Sequence, residues 1–179
     1  MRDNTDKIVE AQYPGMPFLN SDKYNYIRIA CGNNTPIPAT PTSSTVQVNG
    51  KRIIFDAYNI GGYNYFKLRD IAYTLNGTEK QFSVDWNAAN NAIALATGKP
   101  YTIAGGEMAG KGAGSKLATP TSSKITLDGA EVSLTAYLID ENNYFKLRDI
   151  GQAFDFGVGW DETSNTIIID TSKGYFLAT

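Results

Sequence analysis

The stretch NYFKLRDI, Asn64 to Ile71, returns with every letter unchanged at Asn143 to Ile150. The sequence around it keeps step. ATPTSS at Ala39 recurs at Ala118, and Gly50/Gly129, Ala57/Ala136 and Tyr58/Tyr137 share that offset of 79. Downstream the offset falls to 74, so that Phe82, Val84 and Trp86 align with Phe156, Val158 and Trp160, Asn91 with Asn165, Ile93 with Ile167, and Tyr101 with Tyr175. The first copy therefore holds five extra residues, placed within Asn76 to Gln81. This is an internal duplication of a unit of roughly sixty residues.

Each copy predicts the same order of elements. Val46 and Val48, then Asn49-Gly50, then Ile53 to Ile60 make two strands about a two-residue turn that needs positive φ at both positions. The second copy meets the same need with Asp128-Gly129. After a turn at Gly61 to Asn64 comes a third strand, Tyr65 to Leu68, and there the period changes. Leu68, Ile71, Ala72 and Leu75 share one helical stripe, as do Leu147, Ile150 and Phe154, which predicts a short helix stopped in the first copy by Asn76-Gly77. Phe82, Val84 and Trp86 alternate with polar residues, as do Phe156, Val158 and Trp160, and closing strands follow at Ala92 to Ala96 and Thr166 to Asp170. The fold class is α+β, with the order β-β-β-α-β-β in each of two tandem repeats. Residues 1–38 form an extension or attachment segment, 39–104 the first repeat, 105–117 a Gly-rich linker expected to be flexible or irregular, and 118–179 the second repeat. Within the first segment KYNYIRIA, Lys23 to Ala30, is strand-forming: the tail of an upstream domain, an added edge strand or an arm that docks on a partner.

On that plan NYFKLRDI spans the passage from strand to helix, with Phe66 and Leu68 facing one side, Tyr65 and Lys67 the other, and Arg69 and Asp70 in the first helical turn. A carboxylate there meets the positive end of the helix dipole, which favours Asp70 and Asp149 by about 0.3–1 kcal/mol. Arg69 and Arg148 gain nothing from that field, so each is expected to bond backbone carbonyls or its neighbouring Asp and lock the corner. Asp70/Asp149 is the only acid found at the same place in both copies, so no second carboxylate completes a shared acid/base pair. Tyr65, Lys67, Arg69, Asp70 and Trp86, with Tyr144, Lys146, Arg148, Asp149 and Trp160, are read as a structural motif. The tryptophans are expected in the core, against a sugar-stacking alternative. Tyr63, Tyr65, Tyr73 and Tyr144 are the candidates for an exposed ligand surface. Lys67 and Lys146 are expected on the solvent side of their strands, and Cys31 as a small apolar residue.

The composition narrows the chemistry. With 42% apolar residues and 12% aromatics, the 179 residues suffice for a globular core. Sixteen basic against eighteen acidic residues, with no block of one sign, argue against nucleic acid as a partner. The absence of histidine excludes His-dependent nucleophile systems and His-ligated metals, and one cysteine allows neither an internal disulfide nor a Cys-rich metal site. No apolar run approaches a bilayer span, so membrane insertion is not expected, and MRDNTDKIVEAQ lacks a secretory pattern. The Gly-rich stretch Ala104 to Lys116 has no phosphate-loop context.

VQVNGKRIIFDAYNIGGYNYFKLRDIAYTLNGTEKQFSVDWNAANNAIAL and its second copy resemble the copper amine oxidase N-terminal-like domain, or stalk domain, common in exported proteins of Firmicutes. The resemblance covers Thr40 to Tyr101 and Thr119 to Tyr175. It implies, for each copy, a five-stranded antiparallel sheet curled around one short helix. It implies also a non-catalytic accessory module, because the copper and quinone of those oxidases belong to a separate domain with histidine ligands and an Asn-Tyr-Asp/Glu motif. Here Asn64-Tyr65 and Asn143-Tyr144 are each followed by Phe. The expectation is thus a structural or adhesive module, not an enzyme and without a cofactor, that spaces, presents or anchors a partner outside the cell or at its surface. The alternatives are a cell-wall carbohydrate-binding module, with the Glu79/Lys80 loop and aromatic strands as contacts, and a subunit of an extracellular or virion surface assembly. The partner is a protein or cell-wall glycan, with residues 1–38 as an attachment or oligomer contact.

Overall fold

Asn49-Gly50 and Asp128-Gly129 take the backbone their turns require, with φ of 50° and 78° in the first and 50° and 85° in the second. They join β2 (Thr45–Val48) to β3 (Lys51–Ile53) and β9 (Lys124–Leu127) to β10 (Ala130–Glu131). The computed structural model describes residues 35–110, 112 and 114–175. The strand expected at Lys23 to Ala30 and the residue Cys31 lie outside them.

The stretch Ile53 to Ile60, expected as one strand, is two. Between β3 and β4 (Ala57–Ile60) the chain leaves one sheet for another, and Ile54 at the break is 83% exposed. The remaining elements of the first half are β1 (Ile37–Pro41), β5 (Tyr63–Lys67), α1 (Leu68–Leu75), β6 (Phe82–Asn87) and β7 (Ala92–Thr97). Those of the second are β8 (Lys116–Pro120), β11 (Ala136–Ile139), β12 (Asn142–Lys146), α2 (Leu147–Ala153), β13 (Gly157–Asp161) and β14 (Thr166–Asp170). β1 begins inside the segment assigned to the N-terminal extension. α1 ends at Asn76, whose backbone is extended, and the left-handed residue is the next one, Gly77, at φ 80°.

The expected curl of five strands around the helix of their own copy does not form. The halves exchange strands instead. β2 pairs in parallel with β14, placing Val46 beside Ile167 and Val48 beside Ile169, and the resulting sheet runs β13-β14-β2-β3. Its counterpart runs β10-β9-β7-β6, with Ile93 beside Ile125 and Leu95 beside Leu127. Period-two apolar faces from two different halves thus lie side by side, so each strand finds its buried neighbour across the duplication. The turn residues clamp this exchange. The Asn49 side chain accepts from the Thr171 amide at 2.9 Å, and Asp128 accepts from the Thr97 amide at 2.9 Å. At the other end Asn165 Nδ2 donates to the Ser43 carbonyl and Asn91 Nδ2 to that of Ser122.

The other six strands close an antiparallel barrel, β1-β4-β5-β12-β11-β8. Its centre is the repeated motif paired with itself: Tyr65 opposite Lys146, Phe66 opposite Phe145, Lys67 opposite Tyr144. Ala39, Tyr58, Ile60 and Tyr65 fill the interior with their counterparts Ala118, Tyr137, Ile139 and Tyr144. Outside it lies a second, larger core, in which Leu68, Ile71 and Leu75 of α1 and Leu147 and Ile150 of α2 join Val46, Val48, Ile167 and Ile169. The Phe82 and Phe154 rings stack within it at 3.9 Å between centroids. Each fully buried Leu, Ile or Phe in these cores contributes about 1.5–3 kcal/mol over leaving it exposed.

Candidate functional site

β5 and β12 have a core on each side, so neighbouring residues of the motif are buried in opposite directions. Tyr65 enters the barrel and Phe66 the larger core; Tyr144 and Phe145 do the same in the second half. Tyr65 and Tyr144 are 3% and 0% exposed, which places them inside the molecule and not on a ligand surface. Two edge-to-face pairs, Tyr58 with Tyr144 and Tyr65 with Tyr137, have centroids 5.4 and 5.2 Å apart. The Tyr144 hydroxyl donates to Asp56 Oδ2 at 2.9 Å. Burial raises the Tyr65 hydroxyl to about 12, and burial together with Asp56 raises that of Tyr144 further still. Tyr63 and Tyr73 are exposed.

At the strand-helix corner of the first half, Lys67 Nζ and Asp70 Oδ1 are 3.0 Å apart, with side chains 4% and 0% exposed. Lys67, expected to face solvent, is buried because the Gly-rich connection lies over it. Lys67 Nζ donates to the Gly106 carbonyl at 3.2 Å, and the Met108 amide donates to Asp70 Oδ1 at 3.0 Å. One peptide loop thus reaches both charged groups, bonding Lys67 Nζ and Asp70 Oδ1. Burial raises the Asp70 carboxyl above its ordinary value despite the Met108 amide and the Lys67 ammonium, and Oδ2 has no hydrogen-bond partner among the described residues.

The loop is irregular, one of the two forms expected there, and its backbone is gathered around Glu107. Its carboxylate accepts from the Tyr101 hydroxyl at 2.6 Å and from the amides of Ala104 and Gly105 at 2.8 and 2.9 Å. These bonds, that from Tyr101 first, hold Glu107 down to about 2, while burial and Glu107 push Tyr101 up to about 12. Tyr101 is fastened to the end of α1, donating its amide to Asn76 Oδ1 at 2.9 Å. Gly105 and Gly106 sit at φ 94° and 79°, a backbone that side chains disfavour.

The second corner is built differently. Asp149 Oδ2 accepts from the Thr135 amide at 2.9 Å, and Lys146 Nζ lies 3.7 Å from the centre of the Tyr63 ring. Lys146 and Asp149 are half-buried. Arg69 and Arg148 are exposed at both corners, and no hydrogen bond or ion pair fastens either to the described residues. The expected arginine lock is therefore replaced by Lys67 and Asp70 in one half and by Asp149 in the other. The reason is reach: the arginines follow the strand into the helix's outer face, while lysine and aspartate, three residues apart, meet on its inner side.

Trp86 and Trp160, expected in the core, are 51% and 44% exposed. Each shares a face with buried residues, opposite Ile93 and Ile167, but stands late on an edge strand where the core ends. Lys80, in the loop expected to meet glycan, pairs with Asp155 at 3.0 Å. Sequence reasoning missed Asp56, Tyr101, Glu107 and the Gly106 and Met108 backbone. The one available signal was an isolated acid and a methionine amid glycines in AGGEM.

Neither the comparison with curated proteins nor that with solved structures gives a match. The family model described as copper amine oxidase N-terminal domain matches residues 47–169 in one continuous stretch through both halves, well over half of the chain. That span agrees with a domain whose strands are exchanged between halves, and the chain belongs to the copper amine oxidase N-terminal domain family.

Proposed function

We propose that the chain is a structural or adhesive module of the cell exterior or surface, which spaces, presents or anchors a partner. The N-terminal domain of copper amine oxidases is a non-catalytic module. The observation that carries the reading is the inward commitment of the motif's tyrosines in both halves and of its lysine and aspartate in the first. Lys67 and Asp70 neutralise each other under a loop, and Tyr65 and Tyr144 fill a closed barrel. A barrel without free edges, joined to two sheets whose strands come from both halves, suits a part that must keep its shape. Fractionation of the cells that make the protein tests the location. Recovery from the wall or medium supports the reading, and recovery only from cytosol would refute it.

A second reading, carbohydrate binding, is favoured by the exposed indoles of Trp86 and Trp160 at equivalent places in the two halves. Two weak sites on one rigid body would reinforce each other by effective concentration. Retention on purified cell-wall glycan, lost in the double variant Trp86→Ala/Trp160→Ala, would select this reading. A pure spacer is not retained.

A further inference from the structure

We propose that Lys67 and Asp70 condense with each other, so that an amide bond between their side chains links the end of β5 to the first turn of α1. Nζ and Oδ1 stand 3.0 Å apart, and the two side chains are 4% and 0% exposed. In so dry a place an amine and a carboxylic acid lose less by burial than an ammonium and a carboxylate do. The chain holds the pair three residues apart and the loop bonds them from above, so the meeting of nitrogen and carboxyl is an intramolecular event. Oδ1 accepts from the Met108 amide at 3.0 Å, whereas Oδ2 has no hydrogen-bond partner among the described residues. One oxygen is polarised as a carbonyl, and the other is in place to leave.

The step needs no oxidant and no cofactor. A proton passes from the ammonium to the carboxylate, giving amine and acid. Nζ then attacks Cγ, the C–N bond forms, and the charge developing on Oδ1 meets the Met108 amide. The Cγ–Oδ2 bond breaks, and Oδ2 departs as water with the carboxyl proton and one proton from Nζ. The N–H left on the new amide keeps the Gly106 carbonyl as its acceptor, which Nζ reaches at 3.2 Å. Asp56 is a positioning residue that acts through Asp70: burial first, and the Asp56 charge with it, favour the protonated carboxyl, the form an amine attacks. The second half lacks this set. Lys146 Nζ lies over the Tyr63 ring, Asp149 Oδ2 accepts from the Thr135 amide, and Thr135 stands where the first half has Asp56. A linked corner suits a spacer and a glycan binder alike, so the inference depends on neither reading.

The test is the mass of the purified full chain, unfolded for measurement after storage in its folded state at neutral pH. A chain lighter than its sequence by one water molecule is the expected result. Trypsin should then leave the bond after Lys67 uncut, and fragmentation should place the missing water between Lys67 and Asp70. Lys67→Met and Asp70→Ala should each keep the full mass of their sequence, and Asp56→Thr should accumulate the link more slowly. A wild-type chain of full mass would overturn the proposal. So would a missing water that maps to Asp128-Gly129, where ring closure to a succinimide gives the same loss, or a link formed as readily between Lys146 and Asp149. Linkage of Asp56→Thr at the wild-type rate would overturn the part given to Asp56.

Discussion

The two strand-helix corners carry the same eight letters and differ in what covers them. In the first half Lys67 and Asp70 are closed off under Gly106 and Met108; in the second Lys146 and Asp149 remain half-buried, the lysine over Tyr63 and the aspartate on the Thr135 amide. An identical local sequence thus yields a buried ion pair in one place and two separate contacts in the other. The difference lies outside the motif, in Ala104–Met108 and in the exchange of Asp56 for Thr135. What the halves do share is the centre, where Phe66 pairs with Phe145 on the adjoining strands β5 and β12. Symmetry is strongest where the copies touch each other and weakest where each meets something else.

The centre should show the largest effect. Phe66→Ala and Phe145→Ala are each expected to cost about 3–5 kcal/mol in urea unfolding, because both rings are fully buried. Their double variant should lose less than the sum, since the residues are paired neighbours. Unequal single losses, or strict additivity, would break the symmetry claimed for the centre.

At the corners the halves should part company. Lys67→Met leaves the Asp70 carboxylate buried without its cation and is expected to cost about 3 kcal/mol. Lys146→Met removes a partly exposed contact over a ring and should cost less than about 1 kcal/mol. Equal losses in the same denaturation experiment would show that the covering loop makes no energetic difference.

The smallest effect is the dependence on pH. Glu107 has its pKa depressed from 4.5 to about 2 by the Tyr101 hydroxyl and the loop amides, so its contribution is complete above 4.5 and is lost as pH falls toward 2. Asp70 acts in the opposite sense: its pKa is raised by burial, so protonation favours its folded environment as pH falls. The Met108 amide resonance should therefore move between pH 4.5 and 2 in the native protein, and Glu107→Gln should remove the part of that movement due to loop release. An unchanged profile in the variant would separate the loop from Glu107.

Much of the architecture was legible in the residues. Asn49-Gly50 and Asp128-Gly129 specify their turns through local sterics, and the stripe Leu68, Ile71 and Leu75 specifies a helix through its period. Pairing is another matter, because Val46 and Val48 require a buried neighbour without saying which chain segment provides it. Ile167 and Ile169 of the other half satisfy that need as well as any strand of their own half. The same limit governs the site. Alternation places Tyr65 opposite Phe66 on the strand, but only a second core turns both faces into interiors. Trp86 and Trp160 lie on the face that periodicity indicates and are exposed because the core stops short of them, a matter of extent that alternation does not encode.

The central claim is that the halves interlock and unfold as one. Trp86 lies in one exchanged sheet and Trp160 in the other, so the single-tryptophan variants Trp160→Phe and Trp86→Phe each report one sheet by fluorescence. Urea transitions with the same midpoint and slope in both variants are the predicted result. Two transitions at clearly different midpoints, each confined to its own tryptophan, would contradict it.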